Sequence, residues 1–431
     1  MQNDLSDTKI LIDGYNIQLS QGTGIKTYSL TLASALANLN ATVGILTSKP
    51  VKLPKSPILQ SVLFSENIGA SSLSSKKVIW FLSRQIGGFI PEIRQIGKKG
   101  YILNPPNNSW ASEYEVYNYS HCFDLANNLY KRLSLISSFQ SRNKINIFHV
   151  TYPLAIKLKG AKKITTIHDL IPLRLPYTTL DDKKFFFKNI KQSIKTSDLI
   201  FTVSESTKID ILSSFDIDPD KICVTYQPQL LKSLTLEELT FLETGYYYNQ
   251  RKLNYKSYIL FVGAIEPKKN VGRLIDSYAM LDTELPLVIA GKKAWLWEDQ
   301  IKRINLLPQS KQEKIILLDH VSVDELRYLF AGAFCFVFPS LYEGFGVPVL
   351  EAMSFGCPVI TSDISSLPEV GGEAALYVDP YNTFDIANAI TKLINSPLLY
   401  QTMVENGYEQ IKKFSQSSYE KRLLESYSKL L

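Results

Sequence analysis

Short apolar runs of β character alternate with helix-spaced segments along this chain, and they do so twice. The first set opens with KILIDG (9–14), a glycine loop QGTG (21–24), the helix-spaced TYSLTLASALANL, and ATVGILT (41–47). The rhythm resumes at INIFHVTYP (145–153) and KKITTIHDLIP (162–172). A helix over 182–197, DLIFTVS (198–204), a helix over 205–214 and KICVTY (221–226) follow. The second set runs through SYILFVG (257–263), LPLVIAG (285–291), KIILLDH (314–320), FCFVFPS (334–340), PVITSD (358–363) and ALYVDP (375–380). Strands that alternate with helices predict parallel sheets covered on both faces, so the fold class is α/β with two Rossmann-like domains. At 431 residues and 45% hydrophobic, the chain can bury two cores.

Between the sets, 229–256 is polar, tyrosine-rich and aperiodic, and reads as the connection between domains. The predicted division is 1–228 for the first domain and 257–405 for the second. The tail from 399 onward is charged and helix-prone. Residues 50–145 carry no readable pattern. Two capping boxes are expected, Ser322 with Glu325 and Ser366 with Glu369.

Four cysteines without paired spacing read as buried hydrophobes in a reducing compartment, not as a disulfide frame or a zinc site. The start, MQNDLSDTK, has no apolar signal region, and no apolar run is long enough to span a bilayer. A cytoplasmic location is expected. The net charge of +6 permits anionic partners, nucleotides or lipid headgroups, without arguing for nucleic acid. KKFFFKNIKQSIK (183–195) carries five lysines and no acid. It is a solvated face or, alternatively, a peripheral contact with the inner face of a membrane.

Ligands of open parallel sheets sit beyond the carboxyl ends of the strands. There, GAIEPKKNVGRLI places Lys268 and Lys269 before a helix, where the dipole disfavours cations unless an anion is bound. PSLYEGFGVPVLEA places Glu343 on a glycine loop and Glu351 in the first turn of a helix starting near Val347, where dipole compensation alone would explain it. Eight helical residues rise about 12 Å, too far for an acid and base acting on one bond. Two ends of one long ligand fit better. His168-Asp169 ends another strand. The loop at 22–24 is no dinucleotide fingerprint, because Thr27 stands where GxGxxG needs glycine, and no GK[ST] P-loop exists.

These segments resemble the retaining glycosyltransferases of family 4, which have the GT-B fold. The second half carries the resemblance in FVGAIEPKKNVGRLI, LVIAGKKAW and FVFPSLYEGFGVPVLEAMSFGCPVITSDISSLPEVGGEAALYVDP. TGIKTYSLTLASAL, TTIHDLIPLRLP and FTVSESTKIDIL carry it more thinly in the first. The resemblance implies two domains facing across a cleft, a final helix over 406–431 that crosses back to the first domain, and a nucleotide-sugar donor. Glu351 would accept from the ribose hydroxyls and Glu343 would hold the donor sugar. The amides of Phe345, Gly346 and Val347 would face sugar and diphosphate. Lys269 would hold the diphosphate, with His168 near the sugar, Gly24 near the diphosphate, and His320 and Val321 edging the base. Ala264 stands where many members have arginine, and Arg273 is the candidate replacement. The sub-group most like this chain transfers mannose from GDP-mannose in bacterial surface-polysaccharide synthesis. A UDP- or dTDP-sugar is the alternative donor. The acceptor would be a saccharide or a lipid-linked saccharide.

Cleaving a glycosyl–phosphate bond develops positive charge on the sugar and negative charge on the leaving diphosphate. Lysine, loop amides and a helix N-terminus can stabilise the latter. No acidic DxD-like cluster ends a strand, so metal independence is expected. Retention suits front-side attack through an oxocarbenium-like pair. A nucleotide-sugar-binding protein without catalysis and a nicotinamide-dependent enzyme are the competing readings.

Overall fold

The computed structural model describes residues 4–19, 24–51, 54, 56–65, 73–97, 109–248, 251–319 and 321–431. The first domain is built on ten strands among the described residues: β1 Lys9–Asp13, β2 Thr42–Thr47, β3 Glu92–Gln95, β4 Glu115–Asn118, β5 Ser137–Ser141, β6 Ile147–Val150, β7 Ile156–Leu158, β8 Lys162–Ile167, β9 Leu199–Thr202 and β10 Ile222–Val224. Their order across the sheet is β10-β9-β8-β6-β1-β2-β4-β3-β5-β7. All pairings from β10 to β4 are parallel. The fully parallel expectation fails at β3, which runs antiparallel to β4. β3 lies between β4 and β5 and carries Glu92, Arg94 and Gln95, the last two exposed, so the sheet is incompletely covered there.

The second domain holds β13 Ile259–Val262, β14 Leu287–Ala290, β15 Ile315–Leu318, β16 Cys335–Phe338, β17 Val359–Ser362 and β18 Ala375–Val378; β11 and β12 lie in the connection described below. The order is β15-β14-β13-β16-β17-β18, parallel throughout. β14, β16 and β17 are buried along their whole length. Strands covered on both faces must be apolar throughout, which is why they read as unbroken runs. The order reverses between β13 and β16, and the loops after those two strands open on one crevice.

Among its described residues, the aperiodic 229–256 forms regular elements. Thr235 and Glu238 form a capping box on a helix over Leu236–Glu243, and β11 Tyr246–Tyr248 pairs with β12 Arg251–Leu253 in a ribbon. Arg327 holds it to the second domain through Glu238 at 3.0 Å and the Lys232 and Ser233 carbonyls. Tyr248 donates to the Asp319 carbonyl at 3.1 Å. Elements this short carry no period; tertiary partners fix them.

The return to the first domain comes later than residue 406. The helix Pro397–Lys412 stays on the second domain, where Gln410 donates to the Val370 carbonyl at 2.9 Å. The helix Gln416–Ser428 then lies against Gly24–Asn38, with Asn38 donating to Glu420 at 2.8 Å. Its Tyr419, Leu423 and Tyr427 are fully buried, and the Tyr427 hydroxyl meets His149 of β6. Among the described residues no helix is long and apolar enough to cross a membrane.

Candidate functional site

After β13 the chain makes one 3-10 turn, Pro267–Lys269, and then Asn270 enters the left-handed region with φ 61°. Asparagine tolerates that conformation, and its amide secures it by donating to the Pro339 carbonyl at 2.9 Å and the Pro380 carbonyl at 2.7 Å. The turn leaves the Lys269 ammonium in an ion pair with Glu343. Ser340 also donates to the Glu343 carboxylate, and the Ser365 hydroxyl accepts from its backbone amide at 3.1 Å. Lys268 pairs with Glu266 at 3.5 Å. Burial alone would raise Glu343, yet Lys269 and Lys268 outweigh it and hold the carboxyl below its usual range. The cations before the helix are thus answered by Glu343.

Gly346, at φ 126°, opens the helix Val347–Ser354, with Pro348 in its first turn. No side chain among the described residues caps that end, so the amides around Phe345, Gly346 and Val347 stay available to a ligand. The Phe345 ring is buried against Tyr226 and Phe414. Glu351 falls in the second turn, not the first, which removes dipole compensation as its explanation. Burial pushes its pKa up to about 7, and no ion pair holds it among the described residues.

Arg273 is not gathered into the Lys269–Glu343 pair. It donates to Asn270 at 2.9 Å and lies over the Tyr381 ring. Val321 is half-buried against the second core. Gly24 is exposed as the first residue of its helix. His320, Gly22 and Thr23 lie outside the described residues.

His168 follows β8 in the first domain. Its Nε2 lies 3.0 Å from the Thr151 carbonyl, which only accepts, so the proton sits on Nε2 and Nδ1 is the unprotonated nitrogen. Burial lowers its pKa to about 4, which keeps the ring neutral. Asp169, raised by burial, feels both Lys268 and Glu343 across the crevice.

The two domains meet around this point. A Cβ on Gly344 would lie 2.5 Å from the His168 carbonyl oxygen. Thr207 donates to that same carbonyl at 3.0 Å and lies 3.4 Å from the Gly344 carbonyl. Tyr342 donates to Asp210, which also pairs with Arg174.

The expected Ser366–Glu369 capping box does not form, unlike the one at Ser322–Glu325. The Ser366 hydroxyl reaches the Glu343 and Phe345 carbonyls instead. The Glu369 carboxylate crosses the crevice and accepts from the Glu205 and Ser206 amides at 2.8 and 3.0 Å, capping the helix Glu205–Ser214 of the other domain. Sequence reasoning missed this partner and the roles of Ser340, Ser365 and Tyr342. Ser340 and Tyr342 adjoin Glu343 in the quoted motif, whereas Ser365 carried no signal.

The model "Glycosyl transferases group 1" matches residues 249–410, and "Glycosyltransferase Family 4" matches 106–228. O-antigen chain mannosyltransferase B of Escherichia coli is 31% identical over 277 residues, 62% of this chain and 71% of that protein. The serotype-specific mannosyltransferase WbdA of Escherichia coli is 31% identical over 286 residues, 63% of this chain and only 34% of that longer protein. The structure of Anabaena HepE in complex with UDP-glucose is similar over 98% of this chain and 99% of that one, with a TM-score of 0.65 at 13% identity.

Proposed function

The chain belongs to the GT-B glycosyltransferases, and from that footing we propose that it is a retaining hexosyltransferase of surface-polysaccharide synthesis, using mannose from GDP-mannose. The observation that carries the reading is the Lys269–Glu343 pair, set at the switch point of the second sheet and facing the His168 strand end. A buried Lys269–Glu343 pair with Lys268 beside it suits a reaction that separates charge between a sugar and a diphosphate. In this reading the diphosphate displaces Lys269 from Glu343 and takes over its charge, helped by the amides at Gly346 and Val347. Glu343 is then left beside the sugar, whose anomeric carbon becomes electron-poor. Glu351 accepts from the ribose, and neutral His168 accepts a hydrogen bond from a sugar hydroxyl through Nδ1 without adding charge. Arg273 reaches the diphosphate only by leaving Asn270.

The names of the curated relatives support mannose, and HepE with UDP-glucose keeps a UDP-sugar as the second reading. The proposed acceptor is a saccharide or lipid-linked saccharide. The proposed setting is the cytoplasmic face of a membrane touched through Lys183–Thr196, whose Phe186, Ile190 and Ile194 face inward. No metal takes part in this scheme. Purified chain incubated with GDP-mannose, UDP-glucose and a dTDP-hexose, with and without EDTA, tests it. Transfer or donor hydrolysis with GDP-mannose that survives EDTA is expected; turnover only with another donor, or with none, refutes the assignment.

A further inference from the structure

The helix Ser75–Ile86 buries only Phe81 and leaves Trp80 half exposed. Lys77, Trp80 and Arg84 fall at helical spacings of three and four, and so share one face. The Arg84 guanidinium sits 4.6 Å from the Trp80 ring centre and 4.0 Å from that of Phe89. On the other side stands Tyr119, whose ring is fixed by Phe81 and Phe139. Trp80 and Tyr119 wall two adjoining cavities of 320 and 300 Å³. Each is at the small end of ligand-binding sites. The larger also carries Glu92, Arg94 and Asn118, and the smaller Lys77.

The place of this groove in the fold gives it meaning. Asn118 ends β4 and Tyr119 follows it, so the groove opens at the carboxyl edge of the first sheet. His168 stands on that same edge at the end of β8. In the sheet, β8 and β4 are separated by β6, β1 and β2. Four strand spacings put the groove about 19 Å from the reacting centre. A single sugar cannot bridge that distance, whereas several linked pyranoses do.

We propose that this groove is an acceptor subsite that grips a sugar unit remote from the one being extended, so that the enzyme favours oligosaccharide over monosaccharide acceptors. The inference rests on the transferase reading. Aromatic faces meet the C–H faces of a pyranose, and Arg84, Glu92 and Arg94 around them match its vicinal hydroxyls. A polyprenyl tail would need a lining free of such charges.

Two measurements separate this proposal from the function it rests on. In transfer assays, kcat/KM for an α-mannopentaoside should exceed that for methyl α-mannoside. Trp80→Ala should lower the pentaoside value about tenfold. It should leave the monosaccharide value in place, and Trp80→Phe should restore most of the loss. Equal values for the two acceptors in the wild type overturn the subsite but not the transferase. Fluorescence titration with pentasaccharides of mannose, glucose and N-acetylglucosamine reads the groove without turnover. A quench absent from Trp80→Phe supports the subsite even in a chain that transfers nothing. No quench with any pentasaccharide, or a quench only with polyprenyl phosphate vesicles, overturns it.

Discussion

At the scale of single residues, the Lys269–Glu343 pair sets the terms. Both side chains are mostly withdrawn from water, so neither charge is tolerated alone. Lys269→Met strands a buried carboxylate, a change that costs about 3 kcal/mol in comparable pairs. The double variant Lys269→Met with Glu343→Gln should recover much of that stability and none of the transfer. Thermal melts and transfer rates of the four proteins check both halves, and single-site losses that simply add would show that the pair is not coupled. Glu343→Ala and Lys269→Ala are each expected to lose most transfer. Glu351 adds a pH dependence. Its pKa of about 7 in the fold lies above the ordinary value near 4.3. The folded state therefore holds the proton more tightly, and this group's contribution to stability falls as pH rises from about 4.3 to 7. Glu351→Gln should melt about 2–4 °C above wild type at pH 8. If ribose hydroxyls donate to the ionised carboxylate, donor affinity climbs with pH up to about 7 in wild type and stays flat in Glu351→Gln; calorimetry across that range decides.

At the scale of elements, the sequence was most readable where burial is symmetric. β13, β14 and β16 announce themselves because both faces of each are covered. The Val347 helix start was also legible, since Gly346 and Pro348 fix it by backbone chemistry alone. The flank beyond β4 was not, because strands exposed along one side leave no apolar run. Ser366–Glu369 shows the other kind of failure. Its spacing is the same as that of Ser322–Glu325, and only the second makes the local box. What differs is the Glu205–Ser214 amino end across the crevice, which no local pattern contains. This leads to opposite outcomes for the two members of the misread pair. Glu369→Ala should weaken the contact between domains by about 1 kcal/mol, the usual worth of a cap, and raise KM for the acceptor. Ser366→Ala should instead disturb the Glu343–Phe345 loop and lower kcat. Steady-state kinetics of both variants distinguish this from a local capping box, which would make them alike.

At the scale of the whole molecule, the two domains touch where the chemistry is proposed to happen. Gly344 makes that possible: the strand end carrying Glu343 passes so near the His168 carbonyl that even a methyl group does not fit. The obstacle is backbone on both sides, and neither the turn after β8 nor the Asn270-anchored loop can yield without moving its sheet. Gly344→Ala should therefore hold the domains apart and leave each intact. Tyr342–Asp210 and the Glu369 cap span the same gap, so they should loosen together with it. Lys269, Glu343 and Glu351 all belong to the second domain, so donor affinity should fall only modestly. Transfer, which in the proposed scheme needs the first domain's acceptor side at the sugar, should fall by at least an order of magnitude. X-ray scattering should show a larger radius of gyration for Gly344→Ala with bound GDP-mannose than for wild type. Calorimetry should show that the donor still binds. Unchanged scattering with lost transfer would place the defect in the Glu343 loop itself and not in the approach of the two domains.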